Sequence, residues 1–283
     1  MPAVLDGTNG LTFNDNTRMG SANSLGMRNA LFNADFRINQ RGYVSAATLA
    51  AGAYGHDRFK AGASGGDYSF TQLNSSTQVT IASGKSLIQV VEDKNVVGGS
   101  YVLSWTGTAL GRVGINTATP AGTFVVSPIL ITGQTAGTTM SVEFNAGTLV
   151  NVQCELGSVA TPFERRPIGL ELALCQRYFE LIKYEGATQD FMTFPTITTT
   201  AGLGQYTFKV SKRATPTTTI SALADVIAFG SGFASLPITS LVFTSFIDYC
   251  AFNPNVASGF VAQGASMMRI TGVNGFIHFS SEL

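Results

Sequence analysis

Residues 67–91, DYSFTQLNSSTQVTIASGKSLIQVV, show the pattern that most clearly indicates the fold class of this chain. They contain three short strand-like runs, at residues 67–72, 78–82 and 87–91. Each run has the length of one strand, and polar turn residues separate it from the next run. Short strands at this spacing, without helical patterns between them, predict an antiparallel sandwich or jelly roll.

The same pattern extends along most of the chain. In the first half, further strands are predicted at residues 30–38, 101–105, 123–131 and 140–144. In the second half, strands are predicted at residues 191–198, 204–210, 217–223, 238–247, 267–271 and 275–279. We therefore predict an all-β protein with two β-sandwich or jelly-roll-like domains.

One segment has the period of a helix instead. Its apolar residues recur at helical spacing, at Leu170, Leu174, Tyr178 and Leu181. Pro167 suits a first helical turn, because its missing N–H needs no partner there. The predicted organisation is an extended N-terminal segment (1–26), a first β domain (27–166), a linking helix (167–183) and a second β domain (184–283).

The composition predicts a largely neutral surface. Charged residues make up 12% of the 283 residues, against about 25% in an ordinary soluble domain. The formal net charge is zero, and no run of Lys or Arg occurs. Since nucleic-acid binders carry basic stripes that neutralise phosphates, we predict no nucleic-acid partner. The 45% of hydrophobic residues supply enough core to argue against disorder.

The candidate reactive groups are few and scattered. Cys154, Cys175 and Cys250 are odd in number and far apart, which predicts buried free thiols. Only two histidines occur, and neither belongs to a zinc-binding pattern. We predict no metal, no cofactor and no catalytic residue. An enzyme that cleaves polysaccharide would need two carboxylates facing one cleft, for which the first domain offers Asp35, Asp57, Glu92, Asp93, Glu143 and Glu155.

Two segments bear on the location of the protein. Residues 1–10 lack the basic and apolar regions of a secretory signal, so we expect synthesis in a reducing cytoplasm. Residues 226–247 are uncharged and long enough to span a membrane. Their six hydroxyl side chains, two glycines and one proline favour a pair of buried strands, so no membrane insertion is predicted.

Several stretches resemble a group of bacteriophage fibre and tail proteins. Residues 29–42, NALFNADFRINQRG, look like the opening of that family, and residues 54–59, YGHDRF, are similar to its Tyr…Asp-Arg-Trp motif. The most specific stretch is 153–167, QCELGSVATPFERRP, which runs into ELALCQRYF at 171–179. Residues 212–217, KRATPT, resemble a motif in the C-terminal domains of such fibres. Ala34, Asn39 and Phe59 stand where the family has Gly, Trp and Trp.

The resemblance implies a virion protein with a jelly roll like that of carbohydrate-binding modules, frequently oligomeric. Residues 1–26 would then contact other virion proteins, and a homotrimer would give several weak sugar sites avidity on one host surface. We therefore expect a non-enzymatic tail- or head-fibre protein that binds host surface polysaccharide. The alternatives are a structural head decoration, collar or tail-tip subunit, a glycan depolymerase, and a bacterial surface lectin, which the missing signal disfavours.

Two kinds of residue are candidates for the binding or assembly site. The charged groups Asp35, Arg37, Asp57 and Arg58 are predicted to form carboxylate–guanidinium pairs that fix strand ends, with sugar binding as the alternative. Glu164, Arg165 and Arg166 are expected either to contact a partner subunit or to pair with Glu171.

Aromatic residues are the other kind, because a sugar ring packs its CH groups on an exposed aromatic face. Trp105 shares a predicted strand face with Tyr101 and Leu103, which favours a core position. Tyr43, Tyr54 and Tyr68 lie near loop boundaries and are predicted to be exposed. With His56, they form the predicted glycan-binding set.

Overall fold

The computed structural model describes residues 4–6, 10–12, 18–19, 26–184 and 189–283. The chain divides into two compact units, Met1–Glu171 together with Leu283, and Leu172–Glu282. Within residues 1–26, the strands β1 (Val4–Asp6), β2 (Gly10–Thr12) and β3 (Arg18–Met19) form a small antiparallel sheet. The rest of that segment up to residue 25 lies outside the described residues, so its predicted contact with other virion proteins stays a prediction.

Two antiparallel sheets form the first unit. Their strands are β4 (Lys60–Ala61), β5 (Tyr68–Gln72), β6 (Thr77–Ile81), β7 (Leu87–Val91), β8 (Gly99–Thr106), β9 (Gly111–Gly114), β10 (Ile129–Gln134), β11 (Met140–Phe144) and β12 (Gly147–Leu156). One sheet has the order β10-β8-β12-β6-β5 and the other β4-β7-β11-β9. Their inner faces share one hydrophobic core, as in a sandwich.

The core of the first unit follows from the alternation of side chains along its strands. Tyr101, Leu103 and Trp105 share one face of β8, and all three are buried in this core. The Trp105 indole N–H donates to the Ala109 carbonyl oxygen at 2.8 Å, and its ring packs edge-on against Phe144 at 5.1 Å. Each such side chain contributes about 1.5–3 kcal/mol by leaving water. The interpretation of Trp105 as a core residue is confirmed.

Most strands predicted for the first unit are present, and one is not. Residues 30–38 form a loop with turns, because Asn33 and Phe36 adopt φ values of +54° that no strand accommodates. The Asn29 side chain supplies hydrogen bonds to β12 that a paired strand would otherwise make. Its amide donates to the Val152 carbonyl oxygen at 2.8 Å, and its oxygen accepts from the Cys154 N–H at 3.0 Å. The prediction of a strand at 30–38 is wrong.

One strand boundary and one additional strand also differ from the prediction for this unit. The run at 123–131 becomes a strand only at Ile129, directly after Pro128, which has no N–H to give to a ladder. The longest strand of the unit, β12, was not among the predicted runs. It is buried along much of both faces, so its sequence lacks the alternation that marks a half-exposed strand.

The predicted helix is shorter than its apolar pattern. Helix α1 covers Ile168–Gln176, and residues Phe179–Lys183 form strand β13 instead. β13 pairs with β21 (Phe276–Ser280) over five residues, from Phe179–Ser280 to Lys183–Phe276. The prediction of a helix to residue 183 is therefore wrong beyond Gln176, because pairing with a strand about a hundred residues away replaces the local helical preference.

The second unit is also built from antiparallel strands. The remaining ones are β14 (Gln189–Pro195), β15 (Gly204–Thr207), β16 (Thr217–Ile220), β17 (Val226–Phe229), β18 (Ser235–Ser245), β19 (Tyr249–Val256) and β20 (Ala265–Ile270). Short 3-10 helices cover Asp93–Asn95 in the first unit, and Leu223–Asp225 and Ser231–Phe233 in the second. The strand orders are β13-β21-β16 and β14-β20-β17-β18-β19-β15.

These two sheets enclose a second core rich in phenylalanine, with Phe194, Phe252 and Phe279 among its fully buried members. The six strand runs predicted for this half all overlap observed strands. The all-β fold with one helix is thus confirmed.

The uncharged segment 226–247 forms the paired strands β17 and β18. The structure contains no helix among its described residues that is long and apolar enough to cross a membrane. The prediction that both strands are buried is wrong for β18, whose residues alternate between partly buried and exposed.

Candidate functional site

Three of the four predicted glycan-binding residues meet in one place in the first unit. The Tyr43 and Tyr68 rings stack at 4.3 Å, and the His56 ring packs edge-on against Phe70 at 4.7 Å. We call Tyr43, His56, Tyr68 and Phe70 the buried aromatic cluster, in which Tyr43 and Phe70 are half-buried. The sequence analysis proposes three of these residues for glycan binding and does not predict their contact with one another.

Tyr68 and His56 are inside the protein, 1% and 2% exposed. The Tyr68 hydroxyl accepts from the His56 N–H and lies 2.7 Å from ring nitrogen Nδ1. Burial lowers the pKa of His56 to about 4 and raises the pKa of Tyr68. Two rings without access to solvent offer no platform for a sugar, so the predicted exposure of Tyr68 and the inclusion of His56 in the glycan-binding set are corrected.

Tyr43 and Tyr54 are half-buried, and their hydroxyls are already bonded. The Tyr43 hydroxyl donates to the Ala47 carbonyl oxygen at 2.6 Å and accepts from the Tyr68 N–H at 3.2 Å. The Tyr54 hydroxyl donates to the main-chain oxygen of Leu283 at 2.6 Å. Their place in the fold is explained by these internal contacts, without a ligand.

The first of the predicted carboxylate–guanidinium pairs exists. Arg37 Nε donates to Asp35 Oδ2 at 2.5 Å, as predicted. Asp57 pairs with Arg41 at 2.8 Å, a contact that the sequence analysis does not include, and the pairing of Asp57 with Arg58 stays a prediction. The Arg58 guanidinium is buried and donates to the Val90 carbonyl oxygen at 2.6 Å.

The charged run at 164–166 binds within its own unit. Arg166 lies 3.4 Å from Glu171 and 3.7 Å from Glu164, and it also donates to the Leu31 carbonyl oxygen at 3.1 Å. Arg165 is exposed and donates to the Ser75 carbonyl oxygen. Of the two predicted roles, the pairing of Arg166 with Glu171 is confirmed, while a partner contact through Arg165 stays a prediction.

Two of the carboxylates that the sequence offers for catalysis are bonded within the protein. Glu143 Oε1 accepts from the Ser86 hydroxyl at 2.6 Å, and its Oε2 accepts from Arg112 Nε at 2.8 Å. Glu155 accepts from the main chain and the hydroxyl of Thr161 at 2.8 and 2.7 Å. Both are buried, and these bonds connect their strands to other parts of the first unit.

The thiols and possible metal ligands give no reactive centre in the part of the chain that the structure describes. The cysteines are free and buried, as predicted, and burial raises the pKa of Cys154 to about 12. No group of three or more His, Cys, Asp or Glu side chains comes together there to hold a metal ion.

An exposed aromatic pair lies in the second unit, at residues that the sequence analysis did not single out. Phe246 and Tyr249 stack at 4.6 Å across the β18–β19 turn; Phe246 is 43% exposed and Tyr249 is half-buried. We call these two residues the exposed aromatic pair. Residues 241–247, LVFTSFI, do not alternate between apolar and polar residues, so the local pattern does not indicate that Phe246 is exposed.

No protein-family model matches the chain, and no curated protein resembles it closely enough to be a relative. The resemblance to phage fibre proteins therefore stays a prediction from its motifs.

Proposed function

We propose that the protein is a non-enzymatic fibre-type component of a phage virion that attaches to the particle and binds host surface polysaccharide. The observation that carries this proposal is a difference between the buried and the exposed polar groups of the protein. The buried charged residues of the first unit hold loops together, whereas the exposed surface consists largely of hydroxyl, amide and apolar groups.

The bonding of the carboxylates supports binding over hydrolysis. A glycosidase needs one carboxyl group to donate a proton and a second to act as base or nucleophile across a cleft. Asp35, Asp57, Glu143 and Glu155 are each 5% or less exposed and engaged in ion pairs or hydrogen bonds. A surface of hydroxyls and amides instead suits a ligand that is itself rich in hydroxyl groups.

Binding of the purified full chain to a panel of bacterial strains tests the proposal, with and without prior removal of their surface polysaccharide. We expect saturable binding to at least one strain that disappears after stripping. Absence of binding to every strain by the folded protein would contradict it. Release of reducing sugar from the stripped material would instead indicate a depolymerase.

A structural subunit of the head, collar or tail tip is the second candidate, and the edge of one sheet favours it. β10 is the last strand of its sheet and carries the exposed Leu130, preceded by the exposed Val125 and Val126. An uncharged, apolar edge strand can pair with another chain. A Leu130→Lys variant that no longer forms the oligomer of the native chain, measured by light scattering, would support this role.

A further inference from the structure

The outward side of strands β15, β19 and β18 is a neutral surface in the second unit. The strand register places Ala251 between Gln205 and Thr244. Their neighbours in β19 project in the opposite direction, where Cys250 and Phe252 are fully buried. We call this surface the neutral face. Its members are Gln205, Thr207, Val242, Thr244, Phe246, Tyr249, Ala251 and Asn253.

The shortest side chain of the neutral face lies at its centre. Ala251 contributes only a methyl group, and it is flanked along β19 by Tyr249 and Asn253. Across the sheet it lies between Gln205 and Thr244. Longer side chains therefore surround a short one on all four sides, so a ligand ring that rests on Ala251 would meet them at its edges.

The exposed aromatic pair closes one end of this site, and its turn is held in place. The Phe246 N–H donates to the Tyr249 carbonyl oxygen at 2.8 Å, which closes the turn. The Lys212 and Phe208 N–H groups donate to the Ile247 and Asp248 carbonyl oxygens at 2.8 and 3.0 Å. A stacked ring on a fixed turn loses little freedom when a ligand packs against it.

Four polar side chains of the neutral face are exposed, those of Gln205, Thr207, Thr244 and Asn253. None of them forms a hydrogen bond to a residue that the structure describes. Amides and hydroxyls both donate and accept, so their partner must also do both. Sugar hydroxyl groups meet this requirement, and the CH groups of a pyranose ring match the aromatic pair.

The charges near the neutral face restrict the ligand further. None of its eight residues is charged. Asp248 lies beyond the aromatic end, where it accepts from the Ser211 hydroxyl at 2.5 Å. An anionic sugar would find no guanidinium or ammonium group among the eight residues, whereas a neutral sugar would bury no unpaired charge.

We infer that the neutral face is the glycan site of the protein, that its ligand is a neutral oligosaccharide, and that one ring of the exposed aromatic pair packs on a pyranose ring that lies over Ala251. This inference rests on the proposed function and gives its binding activity a location in the second unit. Gln205, across the sheet from Ala251, and Asn253, next to it along β19, act as the hydrogen-bonding residues.

A glycan array with neutral and acidic oligosaccharides tests the inference on the full-length chain. The neutral set contains gluco-, galacto-, manno- and N-acetylglucosamine oligosaccharides, and the acidic set contains their sialylated, uronic and sulfated counterparts. Phe246→Ala, Tyr249→Ala and Ala251→Trp are compared with Phe233→Ala, which removes another exposed ring of the same unit. Circular dichroism and oligomer mass are recorded for each variant.

We expect the native chain and Phe233→Ala to bind a neutral glycan equally, and the three face variants to bind about tenfold more weakly or not at all. Equal binding by all variants would overturn the assignment of the neutral face as the glycan site, but it would leave the proposed function unchanged. Binding restricted to acidic glycans would overturn the ligand class. No binding by the native chain to any glycan or strain would overturn both proposals. Loss of the native oligomer in the face variants would assign the surface to contacts between copies of the chain.

Discussion

The two aromatic groups of this protein contain similar residues in opposite environments. The buried aromatic cluster of the first unit is covered by its own loop, because the Ala46 N–H donates to the Tyr68 carbonyl oxygen at 2.8 Å and Tyr43 then stacks on Tyr68. The exposed aromatic pair of the second unit lies at a tight turn, where Phe246 remains exposed. A position near a loop therefore does not determine exposure; the path of the loop over the strand does.

This comparison separates stability from binding. The buried aromatic cluster is expected to contribute to the free energy of unfolding and little to recognition, whereas the exposed aromatic pair is expected to do the reverse. The following predictions test that separation, from the largest effect on stability to the smallest.

Tyr68→Ala is expected to lower the free energy of unfolding by about 3–5 kcal/mol, because it leaves a cavity and removes the hydroxyl that accepts from the His56 N–H. Urea denaturation followed by fluorescence measures the change. The control Tyr68→Phe keeps the ring and should cost less. A loss below about 1 kcal/mol in Tyr68→Ala would mean that the cluster contributes little to folding.

His56 is expected to make the stability of the protein depend on pH. Its pKa falls from 6.5 when unfolded to about 4 when folded, so the unfolded chain binds a proton that the folded chain does not bind between these values. The contribution of His56 to the free energy of unfolding is therefore fully present above pH 6.5 and is lost as the pH falls towards 4. The total loss is about 3 kcal/mol.

Urea midpoints between pH 7 and pH 4 test the His56 prediction against the variant His56→Gln, which cannot titrate. The native chain should lose more stability over this range than the variant does. Parallel pH profiles for the two proteins would show that His56 is not buried in its neutral form.

Phe246→Ala is expected to change the free energy of unfolding by no more than about 0.5–1.5 kcal/mol, the value of one stacked pair. Urea denaturation alongside Tyr68→Ala gives the direct comparison. A loss as large as that of Tyr68→Ala would indicate that Phe246 belongs to the core, which would contradict both its exposure and its assigned role in binding.

The three cysteine thiols are expected not to react with a disulfide reagent while the protein is folded. Burial raises the pKa values of Cys154 and Cys250, so little thiolate forms near neutral pH and a disulfide reagent has no access. Three thiols should react in denaturant and none without it. Rapid reaction of one thiol in the native chain would reveal an opening of the core around it.

The strand-rich fold, most strand positions and the core role of Trp105 could be predicted from the amino-acid sequence. These features follow from local alternation of apolar and polar residues and from side-chain chemistry, both of which can be recognised within a few residues.

Features that depend on distant partners could be found only in the folded structure. Pairing of Phe179–Lys183 with β21 ended the helix early, and Arg41 paired with Asp57, sixteen residues away. A loop buried Tyr68, while the register of β15, β19 and β18 brought Gln205, Ala251 and Thr244 into one row. Strand pairing and loop cover join residues far apart in the chain, so no local pattern specifies which rings meet solvent.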